Sequence, residues 1–276
     1  MNKIANAILV IAVVVMIPTF TSAEPKEKDP DYPKIKAELV PPILAMKSGT
    51  FEGKVRMPWR LYVPKEASAA NKLPLVVALH GAGRRGTDNV GPMSLFNSFY
   101  SVEEQKKHPS YILAPQIREG HSWVHNKGGL KNIEVDQTPP TDEMLTLFDL
   151  VAQTLKDYPI DVDRVYVVGQ SLGGFGTWDA ITRRPDIWAA AVPIAGGGDP
   201  SKVALFKNIP IWAWHGSKDT TVPVENTRAI IEALKKAGAS PKYDEPPVGH
   251  SSWNNAFADP ELYDWLFAQK RQHPSS

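Results

Sequence analysis

The chain has 276 residues, a net charge of +1, 25 prolines, 19 glycines and no cysteine, and 42% of it is hydrophobic. So even a charge balance gives nucleic acid or an anionic membrane nothing to hold, and neither is expected as a partner. The lack of cysteine excludes a thiol nucleophile, disulfides and thiolate metal sites together.

Lys3, the unbroken apolar run from Ala7 to Ile17, Pro18 and the small-residue end Thr21-Ser22-Ala23 predict a signal peptide over 1–23. The run is well short of the roughly twenty residues that span a membrane. A secreted or periplasmic protein without stable membrane association is therefore expected. Residues 24–48, rich in Pro, Lys and Glu, read as a flexible leader, and 49–276 as a single domain.

Within that domain a strand is predicted at Arg60-Leu61-Tyr62-Val63, stopped by Pro64. Leu73 to Leu79 is a continuous apolar run, the pattern of a strand buried on both faces of a parallel sheet. It ends in His80-Gly81-Ala82-Gly83, whose glycines let backbone approach a substrate closely. This loop can offer the Ala82 N–H to a developing oxyanion, with His80 shaping the loop. The charges of Arg84 to Asn89 read as mainly structural. Tyr111 to Pro115 is a further strand, followed by Gln116 and the polar, aromatic loop around Trp123. A loop at the carboxyl end of a sheet strand is a ligand position, so Gln116 and Trp123 are candidate substrate-binding residues. His121 and His125 lie in a Gly-rich, non-helical stretch, and no metal site is expected there.

Thr141 caps a helix whose stripe is Met144, Phe148, Val151 and Leu155, ended by Pro159. The strand Arg164 to Val168 then runs through Gly169-Gln170-Ser171-Leu172-Gly173 into a helix reaching about Arg183. A strand, G-x-S-x-G and a helix in that order predict a tight turn in which residues two before and two after the serine cannot carry a Cβ. Ser171 is the candidate nucleophile, and the Leu172 N–H the second oxyanion donor. Trp188 to Ala195 and Ile209 to Trp214 are further strands. After the second comes Asp219, placed as a triad acid. A helix with Ala229, Ile230, Ala233 and Leu234 inward, a weak strand at Lys242 to Asp244, His250 as the general base and a closing helix complete the chain. Asp199 and Asp244 are rival acids.

These motifs resemble the secreted α/β-hydrolase esterases of the predicted-peptidase, phospholipase/carboxylesterase and feruloyl-esterase kinds. The resemblance rests on His80-Gly81-Ala82-Gly83 with Arg85 to Asn89, Ala114-Pro115-Gln116 with Trp123, Arg164 through Trp178, His215-Gly216 with Asp219 and Val222-Pro223, and Gly249-His250 with Trp253, Tyr263 and Trp265. It implies an α/β fold, a mostly parallel sheet with helices on both faces, the chain order Ser171…Asp219…His250, no cofactor and an ester hydrolase, without fixing the substrate. The interval from Gly196 to Asn208, thirteen residues with three glycines, is too short for a large helical lid, so an open cleft suited to short-chain, aromatic-acid or polysaccharide-linked esters is expected. A serine peptidase would use the same triad but usually carries a large accessory domain. A catalytically inactive hydrolase-fold binding module would need none of the three residues. Oligomeric state is not legible.

Overall fold

The computed structural model describes residues 34–125 and 131–271; the predicted signal peptide lies outside them. Strands β1 (Lys47–Glu52), β2 (Arg56–Tyr62), β3 (Leu73–Leu79) and β4 (Tyr111–Pro115) make the first half of one sheet. β5 (Ile160–Gln170), β6 (Ala190–Ile194), β7 (Trp212–Trp214) and β8 (Lys242–Asp244) make the second. The spatial order is β1-β2-β4-β3-β5-β6-β7-β8. β2 runs antiparallel to both its neighbours, and every other pairing is parallel.

β3 is buried at every position because successive side chains of a strand point to opposite faces, and both faces are covered. Leu75, Val77 and Leu79 join one core with Leu113, Val165 and Val167. Val76 and Ala78 join the other with Ile112, Tyr166 and Val168. The first core is closed by α4 (Asp142–Asp157), α5 (Leu172–Arg183) and α6 (Glu225–Lys236), through side chains such as Met144, Phe175 and Ile230. The second is closed by α1 (Val40–Leu44), α2 (Gly91–Leu95), α7 (Trp253–Ala258) and α8 (Pro260–Ala268), through Ile43, Met93, Ala256 and Leu266. Between α2 and β4 lies α3 (Val102–Lys107), whose N-terminus is capped by Ser101. Thr141 caps α4 by accepting the Met144 N–H at 3.0 Å, as its sequence predicts.

The leader is shorter than its composition suggests. Residues 40–44 form a helix, and Ile43 has no exposed surface. The buried Arg60 guanidinium donates to the carbonyls of Ile43 at 2.8 Å and Asn89 at 2.6 Å. Of the predicted leader, the described residues 34–48 pack with the domain, and the sheet starts at Lys47 rather than Gly49.

Candidate active site

The centre of the site is the junction of β5 and α5. Ser171 sits there with φ 55° and ψ −120°, a strained backbone for a residue with a side chain. Its N–H donates to the Ile194 carbonyl at 2.9 Å. A Cβ added to Gly169 would lie 2.2 Å from the Gly173 carbonyl oxygen, and one added to Gly173 would lie 1.9 Å from that of Leu79. The spacing in the sequence therefore reflects backbone packed on backbone. Gly173 is thus pressed against the end of β3, at the Leu79 and His80 carbonyls where the loop carrying Ala82 begins.

His250 and Asp219 reach the serine from separate loops. His250 Nε2 lies 2.8 Å from Ser171 Oγ, and His250 Nδ1 lies 2.7 Å from Asp219 Oδ2. The carboxylate can only accept, so Nδ1 carries the hydrogen and Nε2 is left to accept from the serine hydroxyl. The two loops are laced together by Ser217 N–H to Pro246 O at 2.9 Å and Lys218 N–H to Val248 O at 3.0 Å. Gly216 is needed for that approach, since a Cβ there would stand 2.1 Å from the Gly249 carbonyl oxygen. Asp219 Oδ1 accepts the N–H groups of Thr221 at 2.8 Å and Val222 at 2.9 Å. Burial pushes the Asp219 carboxyl pKa up, but hydrogen bonds from His215, His250 and Val222 outweigh it and hold the group well below the usual carboxylate range.

The rival acids have other partners. Asp199 caps the 3-10 turn Pro200–Leu205 through the Ser201 N–H and accepts the Val135 N–H at 2.8 Å. Asp244 accepts the Trp212 indole N–H at 2.6 Å. His215, one of the residues that carry the resemblance but without a role assigned from sequence, has its Nε2 3.2 Å from Asp219 Oδ2. Its signal was the His-Gly pair at the end of the strand that leads to the acid.

Ala82 opens a 3-10 turn and Leu172 opens α5, positions whose N–H groups have no partner within their own helix. His80 sets the path of the first loop: Nδ1 donates to the Gly81 carbonyl at 2.7 Å and Nε2 accepts the Ile117 N–H at 3.1 Å.

Gln116 and Trp123 are corrected by the structure. Trp123 has no exposed surface; its indole N–H donates to the His80 carbonyl at 3.0 Å, and its Cβ lies where Gly176 leaves room. It is a wedge between the His80 loop and α5, with no face to offer a sugar or an aromatic acid. Gln116 is equally buried. Its side chain accepts the Asn89 N–H at 2.7 Å and donates to the Arg84 carbonyl at 3.0 Å and to Asp88 at 3.2 Å, so it braces the 84–89 loop.

A mostly parallel sheet in this strand order, with a serine at the tight turn after β5 and an aspartate and histidine brought to it from later loops, defines an α/β-hydrolase. Residues 65–262 match the phospholipase/carboxylesterase family, to which the chain belongs. A thermostable esterase of known crystal structure is 36% identical and superposes with a TM-score of 0.75, over 83% of this chain and 64% of that one. A poly(3-hydroxyalkanoate) depolymerase C from Paucimonas lemoignei is 29% identical over 67% of this chain and 49% of its own. An uncharacterised secreted protein from Arthroderma benhamiae is 23% identical over 80% of this chain. The chain spans about half the length of the depolymerase and 26% of the secreted protein.

Proposed function

We propose that this protein hydrolyses carboxylic esters through an acyl-enzyme on Ser171, with His250 as general base and Asp219 as the acid that orients it. The observation that carries this is the unbroken line from Asp219 Oδ2 to His250 Nδ1 at 2.7 Å and from His250 Nε2 to Ser171 Oγ at 2.8 Å. His250 takes the hydroxyl proton as Oγ attacks the ester carbon. The oxyanion is met by the N–H groups of Ala82 and Leu172. When the tetrahedral intermediate collapses, the imidazolium gives its proton to the leaving alkoxide and the alcohol departs. Water, activated by the same imidazole, then adds to the acyl-serine and releases the acid. Asp219 stays ionised throughout and stabilises the imidazolium.

Short-chain and aromatic-acid esters, and acyl or ester groups on polymers, suit this site best. Support comes from the segment between β6 and β7, where lids are commonly inserted in this fold. It holds only the 3-10 turn Pro200–Leu205 and no helical lid. A depolymerase among the relatives is consistent with a polymer as substrate. The apolar run in residues 1–23 and a secreted relative support a secreted or periplasmic location. Among the described residues no helix is long and apolar enough to cross a membrane.

Ser171→Ala tests the reading on p-nitrophenyl acetate, methyl ferulate and a p-nitroanilide peptide. The variant should lose about 10⁴- to 10⁶-fold in kcat on the esters while keeping its fold. Retention of more than a tenth of wild-type activity refutes the nucleophile. Faster wild-type cleavage of the anilide than of either ester identifies a peptidase, and no turnover at all identifies a binding module.

A further inference from the structure

Asp219 serves two imidazoles. His215 stands at the end of β7 with no exposed side-chain surface, and the Asp219 side chain is equally buried. His215 Nε2 faces two oxygens, Asp219 Oδ2 at 3.2 Å and the Val222 carbonyl at 3.1 Å. A bare nitrogen lone pair between two acceptors would be repelled by both, so Nε2 carries the hydrogen. Nδ1 lies 2.7 Å from the hydroxyl oxygen of the buried Thr227. That hydroxyl lies 3.1 Å from the Gly196 carbonyl, just beyond β6, to which it can donate. The imidazole thus ties β7, the acid loop and α6 together at the carboxylate.

We infer that His215 is a positioning residue for the proposed reaction, holding the Asp219 carboxylate in line with His250 through a buried hydrogen bond to the shared oxygen. The inference rests on the triad reading above. Oδ1 is fixed by the two N–H groups of its own turn. Among the described residues, Oδ2 would otherwise be held only by His250, the very group it must orient. His250 is partly exposed at the cleft and must alternate between two charge states, so it is a poor anchor. His215 supplies a donor whose position does not depend on the reaction. Burying an imidazole, a hydroxyl and a carboxylate together is costly unless each is paired. Here each has a partner. The other charge near His215 is Glu245, itself engaged by Arg228 and Tyr243.

Steady-state kinetics on p-nitrophenyl acetate test this in two backgrounds. In the native chain His215→Leu should lower kcat on the order of 10- to 100-fold with KM within about twofold, the scale seen when a group that orients an active-site residue is lost. His215→Gln can place an amide N–H near the Nε2 position and should stay within about threefold of wild-type kcat. In an Asp219→Asn chain, His215→Leu should cost less than about twofold, because the carboxylate it aligns is gone. Equal losses in both backgrounds, or wild-type kcat in His215→Leu, overturn the inference. Should His215→Leu fail to fold, Thr227→Val removes the Nδ1 partner at nearly constant shape. It should then lower kcat several-fold in the native chain alone, and wild-type kcat in that variant is equally fatal. Ser171→Ala separates the two levels. If it stays active, the triad reading falls; if it is dead while His215→Leu is fully active, only the inference about His215 falls.

Discussion

His80 is uncharged at neutral pH, with its one proton on Nδ1. Complete burial lowers its pKa from the ordinary 6.5 to about 4, because the cation would lose its hydration; the bond to the Gly81 carbonyl only partly opposes this. Between pH 6.5 and 4 the unfolded chain therefore binds a proton here that the folded chain refuses. The stability that follows from neutral His80 is fully present above pH 6.5 and is lost as pH falls towards 4, to a total of about 3 kcal/mol. Urea titrations at steps across this window should show the loss. In His80→Gln the slope should be shallower by up to about 1.4 kcal/mol per pH unit, and identical slopes would show that another group is responsible. The neighbouring Trp123 matters in the same structural way. Trp123→Ala should cost about 3–5 kcal/mol of stability through the cavity it leaves, with KM for small esters little changed in whatever folds. Undiminished stability with a raised KM would return Trp123 to the substrate.

Elements differ in how openly their sequences declare them. β3 is legible because seven consecutive buried positions leave a continuous apolar run, and the β5–α5 junction is legible because a Cβ added to its glycines would stand only about 2 Å from neighbouring backbone. Gly173→Ala puts that to a measurement. A methyl 1.9 Å from the Leu79 carbonyl oxygen must push α5 off the end of β3. The variant should lose at least 1–3 kcal/mol by overpacking and, if soluble, most of its esterase activity, since Leu172 and Ser171 move with the helix. Native stability and activity together would mean that the junction is looser than these distances imply. β1 was not legible in the same way: Lys47-Ser48-Gly49-Thr50-Phe51-Glu52 is a mostly polar edge strand, paired among the described strands only with β2. Nor was the burial of Trp123 and Gln116. Loop residues have no periodicity to show which way they face, and only the fit of Trp123 against Gly176 and His80 decides it. Asp219 and His250 were found through their order along the chain, whereas the His215 bond to Asp219 depends on a fold-back that no spacing encodes.

At the scale of the whole molecule, the sheet carries its chemistry at the carboxyl ends of the parallel strands, and what covers that edge decides which esters can enter. Between β6 and β7 the chain turns through Gly196-Gly197-Gly198, and their backbone packs against neighbours. Added Cβ atoms would stand 2.5 Å from Gly174, 2.7 Å from Asn132 and 2.7 Å from Trp178. The following 3-10 turn is capped by Asp199 and anchored by Val203 and Phe206 in the core beside α6. A segment so tied down cannot lift as a lid, and six residues of 3-10 helix span only about 12 Å. With the serine at the β5–α5 turn and the Ala82 residue exposed, the described residues of the β6–β7 segment offer the proposed cleft no hinged apolar cover. Long acyl chains then gain little burial per added methylene, since each CH₂ contributes its roughly 0.8 kcal/mol only when it leaves water. The value of kcat/KM on p-nitrophenyl esters should therefore fall, or stop rising, beyond about four to six carbons, and should show no jump where the substrate begins to form micelles. A rate that climbs steeply on emulsified long-chain esters would require another segment to act as a lid, and the preference for short or polymer-borne acyl groups would be wrong.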